Sequence, residues 1–401
     1  MDAAELERLY RAEARSIRAA LAARLGDVGL AEEAVQEAFV EAIGHWRDGP
    51  RPPNPAGWLA TTARRKALDR LRRDRAGQQK LALLAATASD HFSATESADD
   101  ELLGMVFACC HPALTREAQI ALTLRAVCGL TTDQIAAAFL TSEATMGQRL
   151  LRARKALRAA RADVRTPDPD QLAGRLSEVL AVVYLVFNEG YLASAGREPA
   201  RRDLAAQAVT LTRLLHQLMP REPEVLGLLA LLLLHESRAA TRFDGWGRLV
   251  RLAEQDRTRW DQALISEAVT LLDRALAVRE AGPYQVQAAI AALHAQAPDY
   301  ERTDWAQIRL LYDRLQALAP SPVVRLNRAV ATRYVLGPEA ALAEITPLAD
   351  ELDSYRLFHA LRAGLLTGLG REEEARAARE RALALAANPA ERELLTRRLS
   401  L

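Results

Sequence analysis

The sequence predicts an all-α protein, and its composition and its periodicity both point that way. Its 401 residues include only 20 glycines and 17 prolines, half of the residues are apolar, and Ala, Leu, Arg and Glu dominate. These residues favour helix and leave few places for strands. Apolar residues also recur at helical spacing in successive segments, and a chain of this length supports two or three domains.

The first 76 residues are predicted to form a three-helix domain. The first helix runs from about Asp2 to Leu25, where Gly26 ends it. In the second helix, one face is apolar and the other is acidic. The apolar set is Leu30, Ala34, Val35, Ala38, Phe39, Ala42, Ile43 and Trp46, and the polar set is Glu32, Glu33, Gln36, Glu37 and Glu41. We therefore expect the apolar set to be buried and the polar set to be exposed.

The third helix is predicted to follow a proline-rich segment, with Asn54 as its cap and Pro55 in its first turn. It runs to about residue 75 and is basic along its length. The cations of residues 64–80 are Arg64, Arg65, Lys66, Arg70, Arg72, Arg73, Arg75 and Lys80, against Asp69 and Asp74. Because the net charge of the whole chain is only +1, this local excess indicates a nucleic-acid surface on one part of the molecule.

Residues 130–155 predict a helix-turn-helix. Thr131 and Gln134 have the spacing of a capping box, and Ser142 is placed to cap the second helix. That helix ends in a basic run, because residues 149–161 carry six cations and no acidic residue. In a major groove it would present Ser142, Thr145, Gln148 and Arg149 to base edges or phosphates, and Arg152, Arg154, Lys155 and Arg158 to the DNA backbone.

The remaining segments are linkers and a long helical region. We expect a flexible linker at 77–100, the helix-turn-helix domain at 101–162, a second linker at 163–171, and successive helices over 172–401. Residues 355–389 resemble a tetratricopeptide unit of two helices that turn at Leu369-Gly-Arg371, and a weaker copy starts at Pro322 and turns at Gly337. Because one such unit cannot bury its own core, a helical array is predicted.

Taken together, the acidic-faced helix, the helix that begins near Trp58 and the helix-turn-helix resemble bacterial RNA polymerase sigma factors of the extracytoplasmic-function (ECF) group, in the sigma-70 superfamily. The resemblance covers region 2 (1–76) and region 4 (101–162). It implies that the acidic helix binds core RNA polymerase, that the third helix and the preceding loop melt and read the -10 promoter element, and that the helix-turn-helix reads the -35 element. The residues that we expect in these roles are Glu32, Glu33, Gln36 and Glu37 for core polymerase; Asn54, Trp58, Thr61, Arg64, Arg65 and Arg72 for the -10 element; and Ser142, Thr145, Gln148, Arg149, Arg152, Arg154 and Lys155 for the -35 element.

Two of these assignments have structural alternatives. The acidic side of the second helix would also suit a solvated surface, and Trp58 would also suit a core position. Trp46 is more typical of the core than Trp58.

Beyond residue 172 the resemblance narrows to the ECF subgroup with a long tetratricopeptide-like C-terminal extension, which in related proteins takes part in controlling the sigma factor. We expect a regulatory role here, with an unidentified protein or ligand as its partner. Four polar residues of the extension either bind such a partner or tie neighbouring helices together, and the second reading is favoured. They are Asn188, Glu189, Arg257 and Asp261.

Other function classes are disfavoured. Cys109-Cys110-His111 offers zinc-binding atoms, but adjacent cysteines are poor tetrahedral ligands, so buried small residues are the preferred interpretation and we predict no metal or cofactor. No nucleophile-base pair, phosphate loop or carboxylate dyad stands out, so no enzyme is predicted. The low cysteine count, the absence of a signal-peptide pattern and the shortness of apolar runs such as Val225–Leu234 indicate a cytoplasmic protein without membrane contact.

A stand-alone helix-turn-helix regulator with a repeat-type sensor domain is the alternative function. Such a regulator needs neither an acidic docking helix nor a basic helix that carries a tryptophan after a proline-rich loop. The first 76 residues therefore discriminate between the two possibilities.

Overall fold

A computed structural model describes residues 3–48, 52–73, 96–139, 141–191, 200, 202–386 and 389–399. Within these residues the chain forms eighteen α-helices, four short 3₁₀ turns and no β-strand, which confirms the predicted fold class. The chain divides into two compact units, Met1–Val186 and Phe187–Leu401.

The helices of the first unit are α1 (Ala3–Leu25), α2 (Val28–Asp48), α3 (Pro55–Arg73), α4 (Glu96–Cys109), α5 (Arg116–Ala126), α6 (Thr132–Ala138), α7 (Glu143–Ala159) and most of α8 (Pro169–Tyr191). Those of the second are α9 (Arg202–Leu218), α10 (Pro223–Glu236), α11 (Gln262–Ala277), α12 (Pro283–Gln296), α13 (Trp305–Leu318), α14 (Pro322–Leu336), α15 (Pro338–Ile345), α16 (Arg356–Gly368), α17 (Glu372–Leu385) and α18 (Pro389–Leu399).

The first three helices pack around small apolar side chains. Helix α2 lies against both α1 and α3, and Ala38 and Ala42 of α2 are buried, as are Ala63 and Ala67 of α3, so small side chains allow a close approach. Helix α1 also packs against α4. In addition, the buried Arg18 of α1 donates a hydrogen bond to the carbonyl oxygen of Ala126 at the end of α5. The two predicted DNA-binding regions are therefore packed together as one body.

Both helices of the helix-turn-helix begin at the predicted caps. Gln134 accepts a hydrogen bond from the Thr131 backbone amide (2.9 Å), and Thr131 Oγ1 accepts one from the Gln134 amide (3.4 Å), which is the reciprocal pattern of a capping box. Ser142 caps α7 by accepting a hydrogen bond from the Thr145 amide (3.2 Å). Ile135 of α6 is fully buried, so α6 is held against its neighbours by an apolar contact.

The first predicted linker, residues 77–100, ends earlier in the structure than the sequence predicted. Residues 96–100, which we assigned to the flexible segment, form the first turns of α4. Their acidic side chains favour a helix N-terminus, where carboxylates interact well with the free backbone amides. The rest of that predicted linker up to residue 95 lies outside the described residues.

The boundary before the extension also differs from the predicted linker at 163–171. The first part of α8 belongs to the first unit, because Arg175 donates to the carbonyl oxygen of Phe107 (2.6 Å) and Arg116 pairs with Glu178 (2.7 Å). The division between the units falls after Val186, inside α8. Proline-rich composition identified a break in the helices but not the unit to which α8 belongs.

The second unit is built around α10. The residues of this helix from Pro223 to Leu234 are buried apart from Glu224, and α9, α11 and α12 pack around them. Glu224 closes one end of this core by accepting hydrogen bonds from the backbone amides of Tyr284 (3.1 Å) and Gln285 (3.2 Å) at the start of α12.

The two predicted helix pairs near the C-terminus lie where the sequence places them. Helices α14 and α15 meet at Gly337, and α16 and α17 meet near Gly370; both glycines have positive φ angles, of 89° and 71°. Small buried residues on α16 and α17, among them Ala363 and Ala375, allow a close approach. The assignment of these pairs to the tetratricopeptide class remains a prediction.

Candidate nucleic-acid interface

The outer face of α7 is an exposed polar and basic stripe. Thr145, Gln148, Arg152 and Lys155 are all exposed and follow one another at helical spacing. The opposite side of the helix is buried through Met146, Leu150, Ala153 and Leu157. One face of α7 is thus committed to the core, and the other is free to enter a groove.

Two predicted -35 residues near this stripe contact other side chains of the protein. Ser142 caps the helix, and its hydroxyl oxygen lies 2.8 Å from Thr145 Oγ1. The guanidinium of Arg149 lies over the ring of Phe139, 5.6 Å from its centroid. Sequence reasoning missed Leu151, which is 49 % exposed and lies between the polar residues of the stripe.

Arg154 is not part of the exposed stripe, although we predicted it as a -35 residue. Its side chain is only 16 % exposed and points to α2, where its Nη2 lies 2.5 Å from Glu32 Oε2 and its Nη1 lies 3.5 Å from Glu33 Oε1. Arg158 also turns to this side and pairs with Asp27 (2.7 Å). The reason is the helical period: Arg154 and Arg158 lie four residues apart on the flank of α7 that faces α2.

Glu32 is likewise displaced from its predicted place on the polymerase-binding face. Its side chain is 1 % exposed, and both carboxylate oxygens are taken by arginines, Oε1 by Arg125 of α5 and Oε2 by Arg154. Gln36 Nε2 donates to the same Oε1 atom (3.3 Å). In this arrangement Glu32 is an internal ion-pair partner rather than a surface carboxylate.

The remaining acidic residues of α2 line a groove of about 470 Å³ between α2 and α3. The lining residues are Glu33, Gln36, Glu37, Val40, Glu41, Lys66 and Arg70. Arg70 pairs with Glu33 and also with Glu37 (3.2 Å), while Lys66 pairs with Glu41 (2.7 Å). The hydrogen bond from Lys66, with the nearby Arg65 cation, lowers the pKa of Glu41, so this carboxyl stays ionised at neutral pH. The groove carries both signs of charge.

Two apolar side chains of α2, one in this groove and one beside it, are exposed to solvent. Val40 is 68 % exposed, and Ile43, which we predicted to be buried, is 48 % exposed. Gln36 and Val40 line the groove, and Ile43 lies three residues beyond Val40 on the same side of α2, outside the lining residues. The prediction for Ile43 was wrong because its position at the border of the apolar stripe falls beyond the reach of α1 and α3.

Three of the predicted -10 residues, Asn54, Trp58 and Thr61, lie at or near the start of α3. Asn54 Oδ1 accepts a hydrogen bond from the Gly57 amide (2.9 Å), as a capping residue does, and Thr61 is exposed while its hydroxyl donates to the Gly57 carbonyl oxygen (2.8 Å). Trp58 is half-buried and packs on the buried Trp46, with ring centroids 5.0 Å apart. Trp58 therefore has one side in the core and is not a freely extended aromatic.

The three predicted -10 arginines differ in exposure. The side chain of Arg65 is exposed and pairs with Glu41, and that of Arg72 is exposed and pairs with Asp69 (3.4 Å). Arg64 is half-buried. Exposed cations of this kind exchange their weak surface partners for phosphates at little cost.

The cysteines occupy structural positions. Cys109 and Cys110 are buried, and burial raises the pKa of both thiols, that of Cys110 to about 12. The described residues hold no cluster of three or more His, Cys, Asp or Glu side chains that is suited to a metal ion. Among the described helices, none is long and apolar enough to cross a bilayer.

Two of the polar residues that we singled out in the extension tie elements together. Arg257 donates to the backbone carbonyl oxygens of His294 and Ala297, at the end of α12. Asp261 caps α11 by accepting from the amides of Ala263 (3.0 Å) and Leu264 (3.1 Å). For both, the structural role that we favoured is present.

Comparison with known proteins identifies three segments. Residues 9–77 match the family Sigma-70 region 2, residues 105–157 match Sigma-70 region 4, and residues 175–276 match a family of unknown function, DUF6596. No solved structure matches the chain. A stand-alone helix-turn-helix regulator has no region 2, so the first match decides against that alternative.

Two relatives extend this result. An uncharacterized protein of Rhizobium meliloti (strain 1021) is 49 % identical over 378 residues, which cover 91 % of this chain and 88 % of that protein. The ECF RNA polymerase sigma factor SigK of Mycobacterium ulcerans (strain Agy99) is 31 % identical over 142 residues, which cover 33 % of this chain and 73 % of that protein. With regions 2 and 4 present in sigma-factor order, the chain belongs to the ECF group of RNA polymerase sigma factors, which are non-enzymatic initiation factors that act with core RNA polymerase and promoter DNA.

Proposed function

We propose that this sigma factor reads the -35 element with the exposed face of α7, binds core RNA polymerase through the α2–α3 groove, and contacts the -10 element around the start of α3. The observation that carries this assignment is the exposed stripe of Thr145, Gln148, Arg152 and Lys155 on a capped helix within region 4. Because both partners act on the chromosome, the proposed site of action is the cytoplasm.

The -35 assignment is supported by the division of α7 into a buried and an exposed side. A recognition helix needs an exposed face of donors and acceptors near its N-terminal end for base edges, and cations further along for phosphates. Thr145 and Gln148 suit the first need, and Arg149, Arg152 and Lys155 suit the second. Ser142 contributes as the cap that fixes the start of the helix.

The core-polymerase assignment rests on the mixed character of the groove. Val40 supplies exposed apolar area in the groove, the exposed Ile43 lies beside it on α2, and Glu33, Gln36 and Glu37 add polar atoms. An apolar centre with a polar rim is the usual composition of a protein interface. Val40 is an addition to the residues that we expected from the sequence.

The -10 assignment rests on the half-buried Trp58. Its contact with Trp46 fixes the ring, so that its accessible side can stack on an unpaired base without a large entropy cost. Asn54 and Thr61 lie near this ring in sequence and offer polar groups for exposed base edges, and the arginines at 64, 65 and 72 supply cations further along α3 for phosphates. The ion pairs that Arg65 and Arg72 make in the free protein are exposed and weak.

The extension is proposed to control activity, with an unidentified protein or small ligand as the source of the signal. Its support is the size of the second unit, whose core is separate from that of the first, together with the full-length similarity to the Rhizobium protein. A domain of this size, attached to a promoter-binding module that works in shorter relatives such as SigK, is suited to regulation rather than to promoter contact.

Replacement of Arg149 and Arg152 by alanine tests the -35 surface. Each arginine that contacts a phosphate releases about 0.9 counterion, so the double variant should lower the salt slope of promoter binding by about one to two units. The measurement is holoenzyme affinity for -35 DNA at several salt concentrations. The control is Arg165→Ala, which removes an exposed basic side chain outside α7. An unchanged slope in the double variant would rule out this face.

The variant Glu37→Lys/Val40→Asp tests the polymerase surface. Because Val40 is exposed and Glu37 is partly exposed, the fold should persist while the groove loses its exposed apolar side chain and the carboxylate that pairs with Arg70 at 3.2 Å. Co-elution with core polymerase should fall at least about 10-fold, as expected when the central residue of an interface is replaced. The control is Leu310→Asp, at an equally exposed leucine of the extension. Normal co-elution of the groove variant would mean that the groove is not the docking site.

Removal of residues 192–401 tests the role of the extension. This cut keeps α8 complete, so the contacts of Arg175 and Glu178 with the first unit are preserved. We expect core binding to remain and run-off transcription from a genomic library to change by a factor of about 5 or more, the size of a typical regulatory coupling. Identical transcript yields from the truncated and full-length proteins would show that the extension does not regulate initiation.

A further inference from the structure

Five basic side chains of the second unit lie together where its central helix α10 ends. They are called here the basic cluster and are His235, Arg238, Arg242, Arg257 and His294. Arg238 Nη2 lies 3.0 Å from His235 Nδ1, and Arg257 donates to the backbone carbonyl oxygen of His294. The five residues come from α10, from the segment that follows it and from α12, which packs against α10. The cluster is therefore a product of the tertiary fold and not of one stretch of sequence.

The arginines of the basic cluster lack the carboxylate partners that other arginines of this unit have. Arg213, for example, pairs with Glu267 (2.5 Å), whereas no carboxylate among the described residues forms an ion pair with an arginine of the cluster. The acidic residues whose charges act on it from further away are Glu236, Asp299 and Glu301. Of these, Asp299 already pairs with Arg302 (2.5 Å). The cluster thus carries positive charge that the chain does not neutralise by direct contact.

Burial makes this positive charge costly. Arg242 is 8 % exposed, and burial lowers its pKa to about 10. Burial also lowers the pKa of His235 and lowers that of His294 to about 4, and the charge of Arg238 adds to both decreases. Because buried charges in proteins are as a rule paired with a group of opposite sign, the cluster is suited to a negative charge from outside the chain.

Two buried nitrogens of the basic cluster have no hydrogen-bond partner among the described residues. They are Nη2 of Arg257 and Nδ1 of His294. Arg257 is held in place through its Nη1 atom, which donates to the carbonyl oxygens of His294 and Ala297, the second at 2.8 Å. A buried donor without an acceptor costs free energy, so an anion that accepts a hydrogen bond from Nη2 would recover this loss.

The three guanidinium groups lie over aromatic rings. The Cζ atoms of Arg242 and Arg238 are 3.3 Å and 5.7 Å from the centroid of the Tyr191 ring, and Cζ of Arg257 is 4.9 Å from that of Trp260. Contact with a ring occupies the face of a guanidinium and leaves the N–H groups at its edge for the oxygens of an anion. Since Arg238, Arg257 and His294 are partly exposed, a ligand can reach these edges from solvent.

We propose that the basic cluster binds the phosphate group of a small ligand. A phosphate group carries about −1.5 to −2 charges at neutral pH, so it matches three arginines better than the single charge of a carboxylate does. Its source is either the free anion or a phosphorylated metabolite. That this ligand is the signal to which the extension responds rests on the proposed function.

Calorimetric titration of the full-length protein, without polymerase, tests the site. The probes are inorganic phosphate and glycerol phosphate, each at constant ionic strength, and at least one should bind saturably with a Kd below about 1 mM. Tighter binding of inorganic phosphate would support the free anion as the source, and tighter binding of glycerol phosphate would support a phosphorylated metabolite. Acetate should bind at least about 10-fold more weakly than the better probe. No saturable binding of either phosphate up to about 10 mM, or equal binding of acetate, would overturn the proposal.

The variant Arg238→Gln tests the cluster itself. Glutamine keeps a side-chain donor for His235 but removes one cation, so phosphate affinity should fall about 10-fold or more. Without phosphate the variant should unfold at the temperature of the wild type or above it, because a like-charge repulsion is removed. The matched control is Arg213→Gln, in which the replaced arginine already has a carboxylate partner, and its phosphate affinity should equal that of the wild type.

Two results with these variants would contradict the site. One is equal phosphate affinity of Arg238→Gln and the wild type. The other is an unfolding temperature of Arg238→Gln that is lower by about 5 °C or more without phosphate, which would identify Arg238 as a structural contact instead.

The titration is independent of transcription, so it separates this proposal from the proposed function. Phosphate binding by a protein whose extension proves to have no effect on transcript yield would support the site and contradict only its regulatory use. Absence of phosphate binding by a protein whose extension does alter transcript yield would overturn the site alone.

Discussion

The Glu32 carboxylate, buried between Arg125 and Arg154, is the interaction on which the arrangement of the promoter-binding half depends. An ionised carboxylate in such a place is tolerated only when its oxygens are paired, so the two arginines must stay where the protein places them. Those arginines belong to α5 and α7, and the carboxylate belongs to α2. One side chain therefore connects region 2 with region 4.

Three sides of helix α2 make three different sets of contacts. Its small residues, such as Ala38 and Ala42, are buried in the core. Val40 lines the groove. Glu32, near the start of the helix, pairs with arginines of α5 and α7. The sides are set by the helical period, so a change in one need not disturb the others. The groove and the ion pairs with α5 and α7 therefore occupy different sides of one helix.

The sequence was sufficient for features that depend on neighbours along the chain. The caps at Asn54 and Ser142 and the turn at Gly337 are local, because the interacting atoms lie within a few residues. The sequence was insufficient where the position of a side chain depends on a residue far away in the chain. The pattern put Glu32 and Arg154 on separate binding faces, and nothing local indicates that they meet across 122 residues. The prediction that Ile43 is buried was wrong for the same reason. Whether a residue at the edge of the apolar face of α2 is covered depends on how far α1 and α3 extend.

The central claim is that the exposed stripe on α7 reads the -35 element. The most direct measurement is the affinity of holoenzyme containing Gln148→Ala for -35 sequences that differ at single base pairs. The account predicts that the variant loses discrimination at one base pair while the salt slope stays the same, because Gln148 is exposed on the outer face of α7 and carries no charge. Discrimination equal to that of the wild type at every base pair would contradict it.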